Sequence, residues 1–558
     1  MQVSSRFTAE QRLRLWRGVG TLLVVGCAFL FARYLLGRVA LDIHDLHWLW
    51  GDLAQVQIAW AQFVSDPDAH WLTSTRLSYP LPLSISLFDP MPLLLLLARP
   101  FAGLAPDGTQ YFGWYFAACV ILQGWFGYRA TLRAVHLAGG PDGVASTFIA
   151  VAGGLLLASV PYTFVRFQGH TALSSQWVLV LSIWVSLASL DWQHRRWCIA
   201  NGAVVFLATG LNPYLALMIL ISQGVLTVID WQRLRYKGVA LRIVAMAVTA
   251  GIGLWLFGFM SGATADTGGY GHYSMNLYGP LDSHHAAKLF PFNVPSAMDE
   301  QQFEGYTYVG FGVVLLCVAG LIASIGRKLP RASFPFLAAL LVVLVCYLLA
   351  MSSTLSAGHH VLEVPLPKKI IYLLSRFRGS GRLFWMAGFW LVLVSIAACV
   401  RRFGVRITAA VALTFLVVQI VDIRPIGASV RKTIAGGHAL RLDGIPQGKF
   451  SAVLVFPAFQ CNYHRAPGGD VRNYEAVGFL AASRGIPTNN FYAARVPDEQ
   501  TAYHCDYDAR LAKVDSRALY LLTQDLFDAH RDALEQAHTC TGLDGHPGEL
   551  KCVPKDLP

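Results

Sequence analysis

The sequence predicts a polytopic α-helical membrane protein followed by an extracytoplasmic α/β domain. Three observations carry this. Of the 558 residues only 14% are charged and 55% are hydrophobic, and the mean hydropathy is +0.47, far to the apolar side of soluble domains. Apolar runs of roughly 18 to 22 residues recur, the length a helix needs to cross a bilayer. The charge is also unevenly spread. Residues 423–558 hold 15 basic and 15 acidic residues, so the net charge of +11 lies wholly in 1–422, as 29 basic against 18 acidic.

That surplus does not point to nucleic acid. It sits at the ends of apolar spans, as the positive-inside bias requires. Arg129 and Arg133, Arg195 and Arg196, Arg233 to Arg242, Arg327 to Arg331, and Arg401 to Arg406 are therefore expected in the cytoplasm. About eleven transmembrane helices follow, over 19–37, 112–132, 144–163, 174–190, 197–212, 213–230, 239–260, 307–325, 333–352, 382–400 and 405–422. The N-terminus is expected inside and the C-terminus outside. The first span follows Arg12, Arg14 and Arg17, has no small-residue cleavage site after it, and reads as an uncleaved helix. The apolar stretch 91–98 is short and bracketed by prolines. It is expected to dip into the outer side of the membrane under a cover of protein.

The division is then a membrane domain, 1–422, with outer loops 38–111, 261–306 and 353–381, and a soluble domain, 423–558. Six cysteines lie in or beside apolar spans and read as core residues. The other four, Cys461, Cys505, Cys540 and Cys552, all fall in the soluble domain. An even set in one small domain suggests two disulfides in an oxidising compartment. Three connectivities are open; Cys461–Cys505 with Cys540–Cys552 is preferred. Strand-like runs (452–456, 518–522) and a helix-like run (526–538) make this domain α/β.

The stretch from Asp42 to Asp52 follows the first span and holds Asp42, Asp45 and Asp52 with His44 and His47. Carboxylates packed beside a membrane in so uncharged a chain call for a partner, a metal or a reaction. The bland alternative is a solvated acidic loop. Asp42, Asp45 and His47, with His44, could hold a hard cation, Mg2+ or Mn2+, although the spacing is not diagnostic. Asp89 before Pro90 could bind metal, position a substrate, or cap a helix. Arg382, behind the Gly379-Ser380-Gly381 break, could meet a lipid phosphate, with Arg378 and Arg376 beside it; snorkelling to headgroups is the alternative. Arg166 and His170 are further phosphate candidates. Asn276 and Glu304 of the middle loop, with Tyr273 and Tyr306, suit sugar hydroxyls and rings. There is no G-x-x-x-x-G-K-[ST] loop, no H-E-x-x-H and no G-x-S-x-G elbow.

The run Trp48-Leu49-Trp50-Gly51-Asp52-Leu53-Ala54-Gln55 with Ile58-Ala59-Trp60 resembles a largely uncharacterised bacterial family with a GDxAQ motif, within the GT-C superfamily of integral-membrane glycosyltransferases. So do Gly169-His170, Asn212-Pro213-Tyr214, Tyr273-Ser274-Met275-Asn276-Leu277, Glu304-Gly305-Tyr306-Thr307-Tyr308-Val309-Gly310 and Ser380-Gly381-Arg382-Leu383-Phe384-Trp385. The resemblance spans 42–385 and implies an inverting transfer from a polyprenyl-phosphate-linked sugar to a periplasmic glycan, lipid-linked saccharide or protein. A carboxylate of the first outer loop is the base: Asp52 first, Asp45 second, Asp42 third. The bacterial inner membrane is the implied location. A lipid-linked-glycan transporter would show mid-membrane charges or repeated halves. The third reading is a scaffold on the same fold that performs no chemistry.

Overall fold

The computed structural model describes residues 9–89, 91–104, 108–190, 192–260, 270–296, 298, 302–326, 334–462, 473–493 and 495–556. Arg327, Lys328 and Arg331, the side chain of Arg376, and parts of the middle loop lie outside the described residues.

The membrane domain opens with helices α1 (Ala9–Leu36), α2 (Asp52–Ser65), α3 (Pro92–Ala98), α4 (Phe112–Leu137), α5 (Val144–Ala158) and α6 (Pro161–Phe164). It continues with α7 (Trp177–Ala188), α8 (His194–Leu211), α9 (Pro213–Ile229), α10 (Trp231–Leu256), α11 (Phe311–Ser324), α12 (Phe334–Met351), α13 (Lys368–Leu374) and α14 (Phe384–Ala435). Each of the eleven expected segments falls on helix, but the count of crossings is corrected downward. Among the described residues four helices are long and apolar enough to cross a membrane, or five if the bent pair Val144–Ala158 and Pro161–Gln168 is one span.

The reasons are local. Asn212-Pro213 ends one helix and starts the next, the Asn212 side chain accepting the Tyr214 N–H at 2.9 Å, which leaves helices of 18 and 17 residues. The 14 residues of α11 rise only about 21 Å, against roughly 30 Å of hydrocarbon. The segments 382–400 and 405–422 are two helices that meet at a kink at Gly404 (φ 74°, ψ 170°) within the run Phe384–Ala435, and the second continues past residue 422 to Ala435.

Helix α14 is the hub. It packs on α4, α5, α11 and α12, and 83% of its apolar window is buried, against 33% for α1 and 22% for α10. Those two outer helices carry exposed apolar side chains such as Leu22, Leu30 and Trp255.

Above this bundle, the first loop wraps α2 with a small hairpin, β1 (Thr73–Ser74) and β2 (Leu83–Ser84). The third loop carries the hairpin β3 (Thr354–Ala357) and β4 (His360–Glu363). The C-terminal domain is a four-stranded sheet, β5 (Val453–Phe456), β6 (Leu519–Thr523), β7 (His538–Leu543) and β8 (His546–Pro554), in the order β5-β6-β8-β7. Its first pair is parallel and the others antiparallel. Helices α15 (Asn473–Arg484), α16 (Asp498–His504), α17 (Tyr507–Leu511), α18 (Gln524–Ala529) and α19 (Arg531–Ala537) complete it. The expected helix 526–538 is broken at His530. Both preferred disulfides are present, Cys461–Cys505 and Cys540–Cys552. The second joins residues that face each other across β7 and β8.

The C-terminal domain sits on the first loop. Helix α15 packs on α2, Gln62 Nε2 donates to the Ile486 carbonyl at 2.9 Å, and the Tyr79 N–H donates to the Thr488 carbonyl at 2.9 Å.

Candidate active site

Asp52 is the first residue of α2. Before it, Gly51 turns the chain at φ 59°, a conformation glycine adopts without a Cβ penalty. The Gly51 N–H donates to Glu475 Oε1 of the C-terminal domain at 2.8 Å.

His170 meets Asp52 from the turn that follows Arg166. Its own φ is 56°, and Gly169 before it presses so near that a Cβ there would stand 3.2 Å from Asp52 Oδ2. The His170 N–H donates to Asp52 Oδ2 at 3.3 Å. Its ring Nδ1 lies 3.2 Å from that oxygen and 3.8 Å from Asp89 Oδ2, while Nε2 lies 3.8 Å from Glu304 Oε1. The imidazole thus joins two acidic groups on one side to a third on the other.

Asp89 follows a 3-10 turn over Ile85–Phe88 in a left-handed conformation, φ 55°. Asn212 Nδ2 donates to its Oδ1 at 3.3 Å, but Oδ2 is buried with no hydrogen-bond partner. Burial pushes this carboxyl up to about 6; His170 opposes the rise and the charge of Asp52 adds to it.

Glu304 and Arg382 form a buried ion pair, each side chain 8% exposed. Burial alone would raise the Glu304 carboxyl. The His170 ring and the Arg382 guanidinium outweigh it and hold the group down at about 2. The loops that carry the pair meet backbone to backbone. A Cβ on Gly381 would stand 2.7 Å from Gly305 Cα, and one on Gly305 would stand 2.7 Å from the Ser274 carbonyl oxygen. Arg166, also buried, donates to the Glu304 main-chain oxygen at 2.7 Å and lies over the Trp385 ring at 5.4 Å. Arg382 lies over the Tyr214 ring at 5.1 Å. The Nε atoms of both arginines are buried with no hydrogen-bond partner, which is uncommon in folded proteins and asks for a cause.

The site is graded in exposure. Asp52 and His170 are 28% and 31% exposed, so one end is open while the arginine end is closed.

The other sequence candidates stand apart from this constellation. Asp42 and Asp45 close local turns, accepting the N–H groups of His44 and His47 at 3.0 and 3.1 Å, and His47 Nδ1 lies 3.1 Å from Asp45. Asn276 ties the middle loop to the β3–β4 turn, its Oδ1 accepting the Gly358 N–H at 3.2 Å. Arg378 lies over Tyr273 at 5.1 Å, within electrostatic reach of Glu304. Among the described residues no group of three or more His, Cys, Asp or Glu could hold a metal ion as it stands.

Sequence reasoning did not single out Asn212, Tyr214, Glu475 or Tyr492 as site residues. Asn212 and Tyr214 lay inside a quoted motif. Glu475 and Tyr492 come from the C-terminal domain, where no motif marked them. Burial pushes the Tyr492 hydroxyl up to about 12, and the charges of Asp52, Arg378, Asp89 and Glu304 reach it.

The fold, a helical membrane domain joined to a mixed C-terminal domain, is similar to that of several solved structures. The arabinofuranosyltransferase AftD from Mycobacteria matches with a TM-score of 0.50 at 14% identity, over 97% of this chain and 40% of AftD. ArnT from Cupriavidus metallidurans matches with a TM-score of 0.49 at 12% identity, over 95% and 97% of the two chains. The oligosaccharyltransferase of Archaeoglobus fulgidus gives 0.48 at 10% identity, over 96% and 75%. This chain therefore spans about 40% of the length of AftD. By sequence it belongs to the family described as "Domain of unknown function (DUF6311)", which matches residues 23–424, and the "DUF6311 C-terminal domain" matches 441–554. Among the curated proteins none matches it.

Proposed function

We propose that this chain is an inverting glycosyltransferase that moves a sugar from a polyprenyl-phosphate-linked donor to a periplasmic acceptor, either a glycan, a lipid-linked saccharide or a protein. The observation that carries the reading is the pair of buried, unpartnered Nε–H groups of Arg166 and Arg382, opposite an open carboxylate. A leaving phosphate supplies what those donors lack, and Arg suits phosphate in geometry and charge.

Asp52 is the base in this reading. Its Oδ2 is taken by His170, and Oδ1 accepts no hydrogen bond among the described residues. The acceptor hydroxyl passes its proton to Oδ1 as its oxygen bonds to the anomeric carbon. The bond from that carbon to the phosphate oxygen breaks, and the electron pair leaves with the lipid phosphate. Arg382 and Arg166 stabilise the charge as it develops, in a closed setting where such donors act strongly. Glu304 keeps Arg382 oriented between turnovers. His170 couples the base to this ion pair.

Mg2+ or Mn2+ at Asp42, Asp45 and His47 stays a separate part of the proposal, resting on their oxygen-rich donor types; among the described residues no group of three or more His, Cys, Asp or Glu stands arranged to hold it. Loss of transfer in EDTA with recovery on adding Mg2+ is expected; full activity in EDTA would remove the cation from the account.

The membrane is the bacterial inner membrane, with the N-terminus cytoplasmic and the C-terminal domain periplasmic. The two disulfides support an oxidising side for that domain. The test is reconstitution in liposomes with a polyprenyl-phosphate-linked sugar, following release of polyprenyl phosphate. Arg382→Gln should abolish release. Release unchanged in that variant would contradict the reading.

A further inference from the structure

A cavity lined by none of the residues of the constellation above lies on the flank of α2, where the C-terminal domain closes over the first loop. Its volume is about 630 Å³, inside the range of ligand pockets. The lining comes from both parts of the chain: Gln57 and Trp60 on α2, Phe479, Ser483 and Arg484 on or beside α15, and Arg441 from the segment that joins the domains.

The chemistry of this lining is specific. Gln57 is 3% exposed; its Nε2 donates to the Thr109 carbonyl at 2.9 Å, but Oε1 is buried with no partner. A buried acceptor left open costs about 1–3 kcal/mol unless something donates to it. Trp60 is half-buried and held by Tyr111, with ring centroids 6.0 Å apart and planes at 79°. Arg441 lies over the Phe479 ring at 4.2 Å and has no carboxylate within ion-pair distance among the described residues. Arg484 donates to the carbonyls of Pro446 and Ile445 and brings a second positive charge. None of the described lining residues is acidic.

We propose that this cavity binds an anionic saccharide, a non-reacting part of the acceptor. The apolar face of a sugar ring packs on Trp60, whose ring offers an electron-rich face. A sugar hydroxyl donates to Gln57 Oε1. A carboxylate or phosphate substituent meets Arg441, with Arg484 behind it. Binding remote from the reacting atoms fixes the acceptor and contributes to catalysis by positioning. The assignment rests on the glycosyltransferase reading only for the word acceptor; the binding itself does not need it.

The experiment uses the full chain in detergent, titrated with trigalacturonate and with maltotriose, and read by calorimetry. Trigalacturonate should bind, with maltotriose, Trp60→Ala and Arg441→Gln each weakening the interaction about tenfold or more. Asp52→Asn should bind as well as the wild type. No binding of trigalacturonate, or equal binding in Arg441→Gln, an exposed and mildly changed position, overturns the proposal. Equal affinity for maltotriose overturns its anionic part. Binding that persists in a wild-type chain that releases no polyprenyl phosphate would sink the enzymatic reading and leave this site standing.

Discussion

Asp52 Oδ2 receives two contacts from His170, the backbone N–H at 3.3 Å and the ring Nδ1 at 3.2 Å. The first fixes the carboxylate; the second ties it to the far side of the site. His170→Asn keeps the left-handed turn, which asparagine tolerates, and removes the imidazole. Transfer should fall by about 100-fold with little change in melting temperature. A loss of under threefold would show that the ring does not couple base and ion pair.

The C-terminal domain reaches the base through Glu475, whose Oε1 accepts the Gly51 N–H at 2.8 Å. Glu475→Ala should destabilise the chain by about 1–3 kcal/mol, because it leaves that N–H without its acceptor. Glu475→Gln, which keeps an acceptor, should recover most of the stability. Denaturant midpoints of the two variants measure the difference, and equal midpoints would make the contact incidental.

Gly381 lets the third loop touch the middle loop, since a Cβ there would stand 2.7 Å from Gly305 Cα. Gly381→Ala should part Arg382 from Glu304 and cost about 1–3 kcal/mol through overpacking. It should lower transfer more than Asn276→Ala, which breaks a tie lying outside the constellation.

His504 of α16 is buried against Ser78 of the first loop, Nε2 to Oγ 2.7 Å. Burial lowers its pKa to about 4 from 6.5. The unfolded chain therefore takes up a proton first as pH falls. Stability should be full above about pH 6.5 and decline toward pH 4, by about 3 kcal/mol for that shift at most. Melting curves from pH 7.5 to 4.5 should show this slope flattened in His504→Gln. The same slope in the variant would exclude His504 as its source.

Much of the helical layout was legible because membrane helices announce themselves by length and apolarity. The number of crossings was not. Pro213 and Gly404 divide or bend segments that a hydropathy reading counts as separate full spans, and short helices such as α11 fall below bilayer thickness. In the site, His170, Asp89, Glu304, Arg382 and Arg166 were each nameable as a polar residue at the end of an apolar run, but the contacts among them join loops 78 to 138 residues apart. Asp42 and Asp45 drew attention by sequence proximity to Asp52; the fold gives them to local turns. Glu475 and Tyr492 left no sequence trace, since an acidic and an aromatic residue in a soluble domain are ordinary until a fold turns them toward a partner.

The central claim is that Asp52 is the base, and sugar transfer by Asp52→Asn, Asp45→Asn and Asp42→Asn in reconstituted liposomes tests it most directly. Asp52→Asn should lose about 100- to 10,000-fold in rate while binding donor, and the other two should stay within about threefold of wild type. Wild-type transfer by Asp52→Asn, or a collapse confined to Asp45→Asn or Asp42→Asn, would contradict the account.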